Sequence, residues 1–165
     1  MSPSPLDLAQ QKQQAEREAL GRLKAAVMAR LLEMKEMQPS EAERAHEALK
    51  GQCTDKRLPG DFKKQVLDRA RTFECNANMR AATRAMEEAV DFALAERLKE
   101  RSARLAMGRQ WFAKACSLGA NDEFRKATQR LIDTAMMTGG IYKPGQATRA
   151  KPADIAPRNT RFGKA

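Results

Sequence analysis

Strand-forming residues are scarce in this chain. Its 165 residues include six Phe, one Tyr and one Trp, and Val and Ile occur three times each. Aromatic and β-branched residues favour strands, whereas the Ala, Leu, Met, Lys, Arg, Glu and Gln that are plentiful here favour helices. The composition therefore predicts an all-α fold, and the length allows one modest hydrophobic core.

Long apolar segments are missing as well. The longest apolar run, residues 25–29, is far shorter than the roughly 20 residues that a membrane-spanning helix requires. The opening residues, Met-Ser-Pro-Ser-Pro, lack the basic and apolar stretches of a secretory signal. We therefore expect no membrane partner and a cytoplasmic location.

Cysteine and histidine are also few. The three cysteines, Cys53, Cys75 and Cys116, are odd in number and far apart, which is typical of free thiols in a reducing compartment. The single histidine, His46, follows Glu43 by three residues, but a di-iron bundle needs two such pairs and further glutamates. We interpret His46 as part of a solvated helix face.

The sequence also lacks the local motifs that usually indicate phosphate binding or a zinc site. No glycine-rich phosphate-binding loop is present, and no two cysteines are close enough in sequence to suggest a zinc knuckle. A Ser–His–Asp or Cys–His site can still assemble from residues that are distant in sequence. We expect a protein that is not an enzyme and that uses no cofactor, no metal and no small-molecule substrate.

The chain does have a strong basic excess, and half of it lies at the C-terminal end. There are 31 Lys and Arg against 21 Asp and Glu, a net charge of +10. Residues 139–165, called the basic tail below, hold six of these bases against one acid, with three of the seven prolines. Such a segment cannot bury enough apolar surface to fold alone. We expect a disordered or extended tail that docks on an acidic partner.

The alternative interpretation of the basic tail is a segment that only keeps the protein soluble. Such a segment would not need the apolar residues that this tail contains. Basic side chains that stand a few residues apart on an extended chain can follow phosphates or the acidic face of a protein. The tail residues that we predict to bind the partner are Tyr142, Lys143, Arg149, Lys151, Ile155, Arg158, Arg161, Phe162 and Lys164.

Residues 1–58 predict an amphipathic helix, a short helix and a linker. The first helix covers about 6–37, and its apolar residues recur at spacings of three and four, which form one stripe. Pro39 ends this helix, and Ser40 with Glu43 forms a capping-box pattern for a short helix over 41–50. A linker over 51–60 follows. The stripe is a second predicted partner-binding surface, formed by Leu20, Leu23, Val27, Leu31 and Met34.

Residues 59–138 predict a core of helical hairpins. Asp61 is placed to cap a helix over 62–73, and Asn76 or Asn78 to cap a longer helix that reaches about residue 105. Gly119 is suited to end a helix, and Asn121 to begin the last one. The predicted fold class is therefore a helical-hairpin bundle or a short helical-repeat core, followed by the basic tail.

The apolar pattern of one part of the chain recurs 45 residues later, a feature called the 45-residue echo below, which suggests that the hairpin occurs twice. When the chain is shifted by 45 residues, apolar positions of 62–86 fall on those of 107–131. In the second copy Gly108 and Trp111, followed by Phe124, resemble a tetratricopeptide unit, although that family's period is about 34 residues and the first copy lacks the glycine. The resemblance implies stacked hairpins. Trp111 and Phe124 lie on the facing stripes of one hairpin, so we expect them to be buried against each other's helices. The alternative is a chance alignment of two amphipathic hairpins.

Together these observations favour a non-enzymatic structural or assembly subunit of a larger protein complex. The basic tail would dock on an acidic protein polymer, such as a cytoskeletal microtubule, or on a ribosome-like RNA surface. Two alternatives remain open: an accessory protein that binds nucleic acid, and a small helical chaperone or adaptor that uses the N-terminal stripe. Strongly salt-sensitive binding would indicate contacts with phosphates.

Overall fold

The computed structural model describes residues 2–137. In this range the chain is all-α, with five α-helices, one 3₁₀ turn and no strand. The all-α prediction is confirmed for the described part of the chain, and the basic tail lies outside it. The elements are α1 Pro5–Glu33, the 3₁₀ turn Met34–Glu36, α2 Pro39–Gln52, α3 Gly60–Leu94, α4 Leu98–Ser117 and α5 Asp122–Met137.

Two compact units divide the chain, the first being Met1–Glu74 and the second beginning at Cys75. The division falls inside α3, whereas the sequence suggested a boundary between residues 58 and 59. The reason is that the start of α3 buries Val66 and Ala70, so that its first turns belong to the first unit.

The first unit combines α1, α2 and the start of α3. On α2 the buried residues recur at spacings of three and four, as expected for a helix with one apolar face. The 3₁₀ turn after α1 buries Met34, which extends the apolar stripe of α1. The buried apolar residues of this unit are Val27, Leu31, Met34, Ala42, Ala45, Leu49, Cys53, Leu58, Val66 and Ala70.

α2 begins two residues earlier than predicted. Pro39 occupies its first turn, where proline's missing N–H is not needed and its fixed φ suits the helix. Gln38 is the cap, and its backbone N–H donates to Glu41 Oε1 at 3.1 Å. The prediction that Ser40 and Glu43 form the capping box is therefore wrong, because both residues already lie inside the helix.

The connection from α2 to α3, predicted as a linker, is a structured turn. The backbone N–H and Nε of Arg57 donate to Asp55 Oδ1 at 2.9 and 3.1 Å, and Nη2 donates to Oδ2 at 2.8 Å. These bonds hold the pKa of Asp55 at about 2. Leu58 is buried next to them. Asp61, the predicted cap, lies in the first turn of α3, after the helix has begun.

α3 runs without the break that was predicted near residue 76. Asn78 is buried, and the buried stripe continues through it from Cys75 to Ala82 and onward. Packing along this face therefore overrides the preference of asparagine for helix caps. The first copy of the 45-residue echo forms no hairpin, because residues 62–86 all lie in this one helix, whereas the second copy spans α4 and α5.

α3 and α4 end in the same backbone motif. At the end of α4, Ala120 N–H donates to Ala115 O and Gly119 N–H to Cys116 O, with Gly119 at a φ of 99°. At the end of α3, Arg97 N–H donates to Phe92 O and Glu96 N–H to Ala93 O, with Glu96 at a φ of 59°. Both ends are Schellman motifs. The motif at Gly119 was predictable from the sequence because glycine favours the left-handed region. The motif at Glu96 was not, because glutamate seldom adopts that conformation.

Asn121 begins α5 as predicted. The backbone N–H of Phe124 donates to Asn121 Oδ1 at 2.8 Å, which satisfies one of the open donors at the helix start. Asp122 and Glu123 follow in the first turn, where negative charge interacts favourably with the helix dipole. The predicted hairpin of residues 107–131 is therefore present as α4, a tight turn and α5.

The second unit has two hydrophobic clusters among α3, α4 and α5. Phe124 packs on Phe112 of α4, with ring centroids 5.8 Å apart, so it contacts the helix of Trp111 as predicted. The predicted burial is wrong, because Trp111 and Phe124 are both only half-buried. One cluster contains Met86, Ala89, Leu105, Ile132 and Ala135, and the other contains Cys75, Ala115 and Ala120.

Gly108 of α4 packs closely against Ala85 and Met86 of α3. A Cβ at this position would lie 2.5 Å from Met86 Cε, 3.1 Å from Met86 Sδ and 3.2 Å from Ala85 Cβ. Met86 is fully buried, so its end has little room to move aside. Gly108 therefore permits a close approach of the two helices that any other residue would disturb.

We expect Gly108→Ala to destabilise the protein, although alanine is the better helix former. The gain in propensity is about 1 kcal/mol, whereas overpacking a filled core costs about 1–3 kcal/mol. Gly21, in the middle of α1, has nothing within 4 Å of its would-be Cβ, so Gly21→Ala should stabilise by up to about 1 kcal/mol. Urea unfolding of both variants measures this contrast, and equal effects of the two substitutions would contradict it.

Candidate partner-binding site

The N-terminal stripe is mostly core. Three of its five residues, Val27, Leu31 and Met34, have no exposed surface. The other two, Leu20 and Leu23, are half-buried. In this structure, three of the five predicted partner-binding residues therefore pack within the first unit. The exposed leucines of α1 lie elsewhere, at Leu6, Leu8 and Leu32.

The predicted contacts of the basic tail lie outside the described residues. This applies to every tail residue proposed to bind a partner, namely Tyr142, Lys143, Arg149, Lys151, Ile155, Arg158, Arg161, Phe162 and Lys164. The described residues nonetheless show the charge and exposure of the helices that precede the tail.

The basic excess begins well before the tail. Residues 101–165 contain 13 Lys and Arg against four Asp and Glu, a net charge of +9. Residues 1–100 contain 18 bases and 17 acids, a net charge of +1. Nearly all of the chain's charge of +10 therefore belongs to α4 and the tail, because α5 holds three bases and three acids and has no net charge. The bases of α4 were not among the predicted partner-binding residues, although their excess over acids is visible in the sequence.

Several basic side chains of α4 and α5 are exposed and unpaired. The buried face of α5 is formed by Thr128, Ile132 and Ala135, so the bases at other positions of that helix face solvent. Within residues 2–137 none of these side chains forms an ion pair. They are Arg109, Arg125, Lys126 and Arg130. The hairpin therefore presents cations that are available to an anionic surface.

An acidic groove of about 510 Å³ lies beside α3 and α5 in the same unit. Val90 and Leu131 line it, and both also pack on the hydrophobic cluster behind them. The remaining lining residues are three acids, one base and a threonine: Glu87, Glu88, Asp91, Arg84 and Thr134. This groove is an acidic concave surface in the part of the chain where bases otherwise dominate.

His46 and Glu74 form a buried pair in the first unit. His46 Nδ1 lies 2.7 Å from Glu74 Oε1, and both side chains are less than a tenth exposed. The interpretation of His46 as solvated is therefore wrong. Its position between Ala45 and Leu49 on the apolar stripe of α2 was the signal that it is buried. The pair joins α2 to the last residue of the unit.

Arg101 is the second unusual charge, because it is buried with few partners. Arg101 is only 8 % exposed. Within residues 2–137 its Nε and Nη1 have no hydrogen-bond acceptor. Arg101 lies one helical turn before Leu105, on the buried face of α4. An unpaired charge in such a place costs free energy, so we expect Arg101 to oppose the stability of the second unit.

Residues 2–137 contain neither a metal-binding cluster nor a membrane-spanning helix. In residues 2–137 no group of three His, Cys, Asp or Glu side chains is close enough to hold a metal ion. None of the helices in that range is both long and apolar enough to cross a membrane. Comparison of the chain with protein-family models, with curated proteins and with solved structures finds no match.

We expect the His46–Glu74 pair to be strongly coupled. Removing one partner of a buried pair costs roughly 3–5 kcal/mol, whereas replacing both by apolar residues of similar size is often close to neutral. Glu74→Leu and His46→Leu should each destabilise the protein, and the double variant should recover much of that loss. A double-mutant cycle by urea unfolding measures the coupling. As a control, Glu47→Ala, which breaks the exposed pair with Lys50, should cost less than about 1 kcal/mol.

We expect Arg101→Met to stabilise the protein. The substitution keeps a long side chain for packing and removes a buried charge whose hydrogen bonds are incomplete, which is worth about 1–3 kcal/mol. Arg109→Met, at an exposed position of the same helix, should change stability by no more than about 0.5 kcal/mol. Thermal unfolding of both variants tests this expectation, and a lower melting temperature for Arg101→Met would show that the guanidinium has a stabilising partner.

Proposed function

We propose that this protein is a non-enzymatic assembly subunit that docks on an acidic partner through a basic surface. The observation that carries the proposal is the distribution of charge: residues 101–165 hold +9 of the net +10. The α4–α5 hairpin provides one part of this surface, with Arg109, Arg125, Lys126 and Arg130 exposed. The basic tail provides the rest.

The order of these parts along the chain supports a combined surface. The tail follows α5 directly, and its 27 residues could span up to about 90 Å when extended. A folded basic hairpin can position the chain while the tail follows a partner that is longer than the protein itself. This arrangement suits a repetitive or extended acidic surface, such as a protein polymer or a structured RNA.

Two classes of partner remain compatible with this surface. Arginine contributes eight of the 13 bases, and its planar guanidinium recognises carboxylate and phosphate equally well in a bidentate manner. An accessory role on nucleic acid is therefore the main alternative. The chaperone or adaptor alternative has less support, because Val27, Leu31 and Met34 of its predicted surface are buried.

We expect neutralisation of the tail to weaken partner binding without unfolding the protein. The variant replaces Arg149, Lys151, Arg158 and Arg161 together with glutamine, and binding of the full chain is measured against poly(U) RNA and against microtubules at two salt concentrations. If RNA is the partner, the slope of log K against log salt should flatten by about 0.7 for each phosphate that the variant no longer neutralises. If an acidic protein polymer is the partner, Ile155→Ser with Phe162→Ser should weaken binding at least as much.

A matched control separates a specific surface from bulk charge. Lys12, Arg17, Arg22 and Lys35 are all exposed on or just after α1, and their replacement by glutamine changes the net charge by the same amount. This control should bind the probe nearly as well as the natural chain. An equal loss of binding in both variants, or no binding of the natural chain to either probe, would overturn the proposal.

A further inference from the structure

We propose that the start of α4 is a binding site for a carboxylate of an acidic protein partner, and that Arg101 is the residue that receives it. Leu94 and Leu98, which are exposed on either side of the short α3–α4 turn, contact an apolar residue beside that carboxylate. The inference rests on the proposed function, because it names the chemical group and the class of partner that one part of the basic surface recognises.

The state of the Arg101 side chain is the observation that points to a ligand. The residue is 8 % exposed, and its Nε and Nη1 have no acceptor within residues 2–137. A guanidinium does not lose its proton in a protein, so Arg101 cannot escape the cost of burying a charge by becoming neutral. A bound carboxylate would supply the missing acceptors through charge-assisted hydrogen bonds, which are stronger than neutral ones.

Two carboxylates of the second unit that lie near the start of α4 are engaged by other arginines. Arg97 Nε pairs with Glu100 Oε2, and Arg104 Nε lies 3.4 Å from Glu88 Oε1. The side chains of both these arginines are at least 40 % exposed. Three arginines therefore accompany two carboxylates in this part of the chain, and the one without an ion pair is the buried one.

The first turn of α4 adds backbone donors to the site. Arg97, at the cap position, makes no side-chain hydrogen bond to the helix. The first N–H groups of a helix have no acceptor within the helix, and they favour an anion. Side chains on a helix lean toward its N-terminus, and Arg101 is the fourth residue of α4. We therefore expect its guanidinium to extend back over these donors.

Apolar side chains surround the same turn. Leu94, the last residue of α3, is 67 % exposed, and Leu98, the first residue of α4, is 40 % exposed. Leu98, Arg101 and Leu105 recur at spacings of three and four, so they share one face of α4. Leu105 is buried in the core. Arg101 thus lies between a buried and an exposed leucine, and a partner that covers Leu98 comes next to the guanidinium.

A carboxylate suits this site better than a phosphate of RNA. An Asp or Glu side chain holds its carboxylate on one or two methylene groups, so it can enter a narrow opening while a neighbouring apolar residue covers Leu94 and Leu98. An RNA phosphate is attached to hydroxylated riboses on both sides, so it is bulkier and brings little apolar surface. The nearly complete burial of Arg101 and the exposed leucines therefore favour an acidic protein.

Opposite effects on stability and on binding would distinguish a binding arginine from a structural one. Arg101→Met removes an unpaired buried charge, so the melting temperature of the free protein should rise, as expected above. The same variant should bind an acidic partner more weakly. A residue that is kept for binding at a cost in stability gives such opposite changes, whereas a residue with only a structural role would leave binding unchanged.

The test measures binding of the full chain to a labelled copolymer of Glu and Tyr by fluorescence anisotropy at physiological salt. Arg101→Met should weaken this binding by about tenfold or more, as expected for hydrogen bonds to a charged group. Arg101→Lys should recover only part of the loss, because lysine lacks the planar fork of donors. The control Arg44→Met removes an exposed arginine of α2 and should change binding by less than about twofold.

A second pair of variants tests the apolar contacts. Leu94→Ser with Leu98→Ser should weaken binding of the Glu-Tyr copolymer and leave binding of polyglutamate nearly unchanged, since polyglutamate has no apolar side chains. Leu6→Ser with Leu8→Ser, at positions of α1 that are 66 % and 52 % exposed, should affect neither probe. Circular dichroism establishes that every variant is still helical.

Four results would overturn the inference. The first two are absence of copolymer binding by the natural chain and unchanged binding by Arg101→Met. The third is an equal loss of binding to poly(U) RNA by Arg101→Met, which would assign the site to phosphate. The fourth comes from Asp154→Asn, which removes the only acid of the tail and should leave binding unchanged. Tighter binding by that variant would assign Arg101 to the chain's own acid.

The proposed function is tested in parallel with microtubules and poly(U) RNA, so that the two can fail separately. If the natural chain binds one of these probes through its tail and Arg101→Met still binds the copolymer normally, the inference alone is refuted. If Arg101→Met loses copolymer binding while the natural chain binds neither microtubules nor poly(U), the proposed function alone is refuted.

Discussion

The distance between α3 and α4 at Gly108 is the constraint on which the second unit depends. The surface of α3 beside Gly108 combines the long side chain of Met86 with the small Ala85, and Ala82 and Ala89 are also buried on this helix. Small residues allow helix axes to approach closely, but they bury little area each, so the packing must be tight to be stable. Leu105 and Ile132 then supply the larger side chains of the same cluster. The second unit therefore combines a close approach of two helices at Gly108 with larger apolar side chains on either side of it.

The sequence was informative where local chemistry decides the structure, and less so where packing does. Gly119 and Asn121 were identified because a left-handed glycine and an asparagine cap act through their own backbone and side chain. The end of α3 was missed because Glu96 adopts a left-handed φ that glutamate seldom prefers. Asn78 was misinterpreted for the opposite reason: its local preference for a cap is overridden by burial.

Some features of the candidate site were likewise predictable from the sequence, and others were not. The basic excess was visible from composition, since charge counts do not depend on the fold. The acidic groove was not, because Glu87 and Asp91 belong to α3 and Leu131 to α5, and only the packing of these helices brings them together. Likewise, the partner of His46 is 28 residues away on another helix, and no local pattern indicates such a distance. Surfaces formed within one segment are thus predictable, whereas surfaces formed between helices require the structure.

The burial of two of the three cysteines, Cys53 and Cys75, gives the chain its own reporters of local opening. Cys53 is buried in the first unit, where burial raises the pKa of its thiol, and Cys75 is buried in the second, near the carbonyl of Ala115. A thiol reacts with an alkylating reagent as the thiolate and only when the reagent can reach it. The rate at which each cysteine is modified therefore follows the opening of the unit that encloses it. The two units can be followed separately in a single sample, with no substitution and no attached dye.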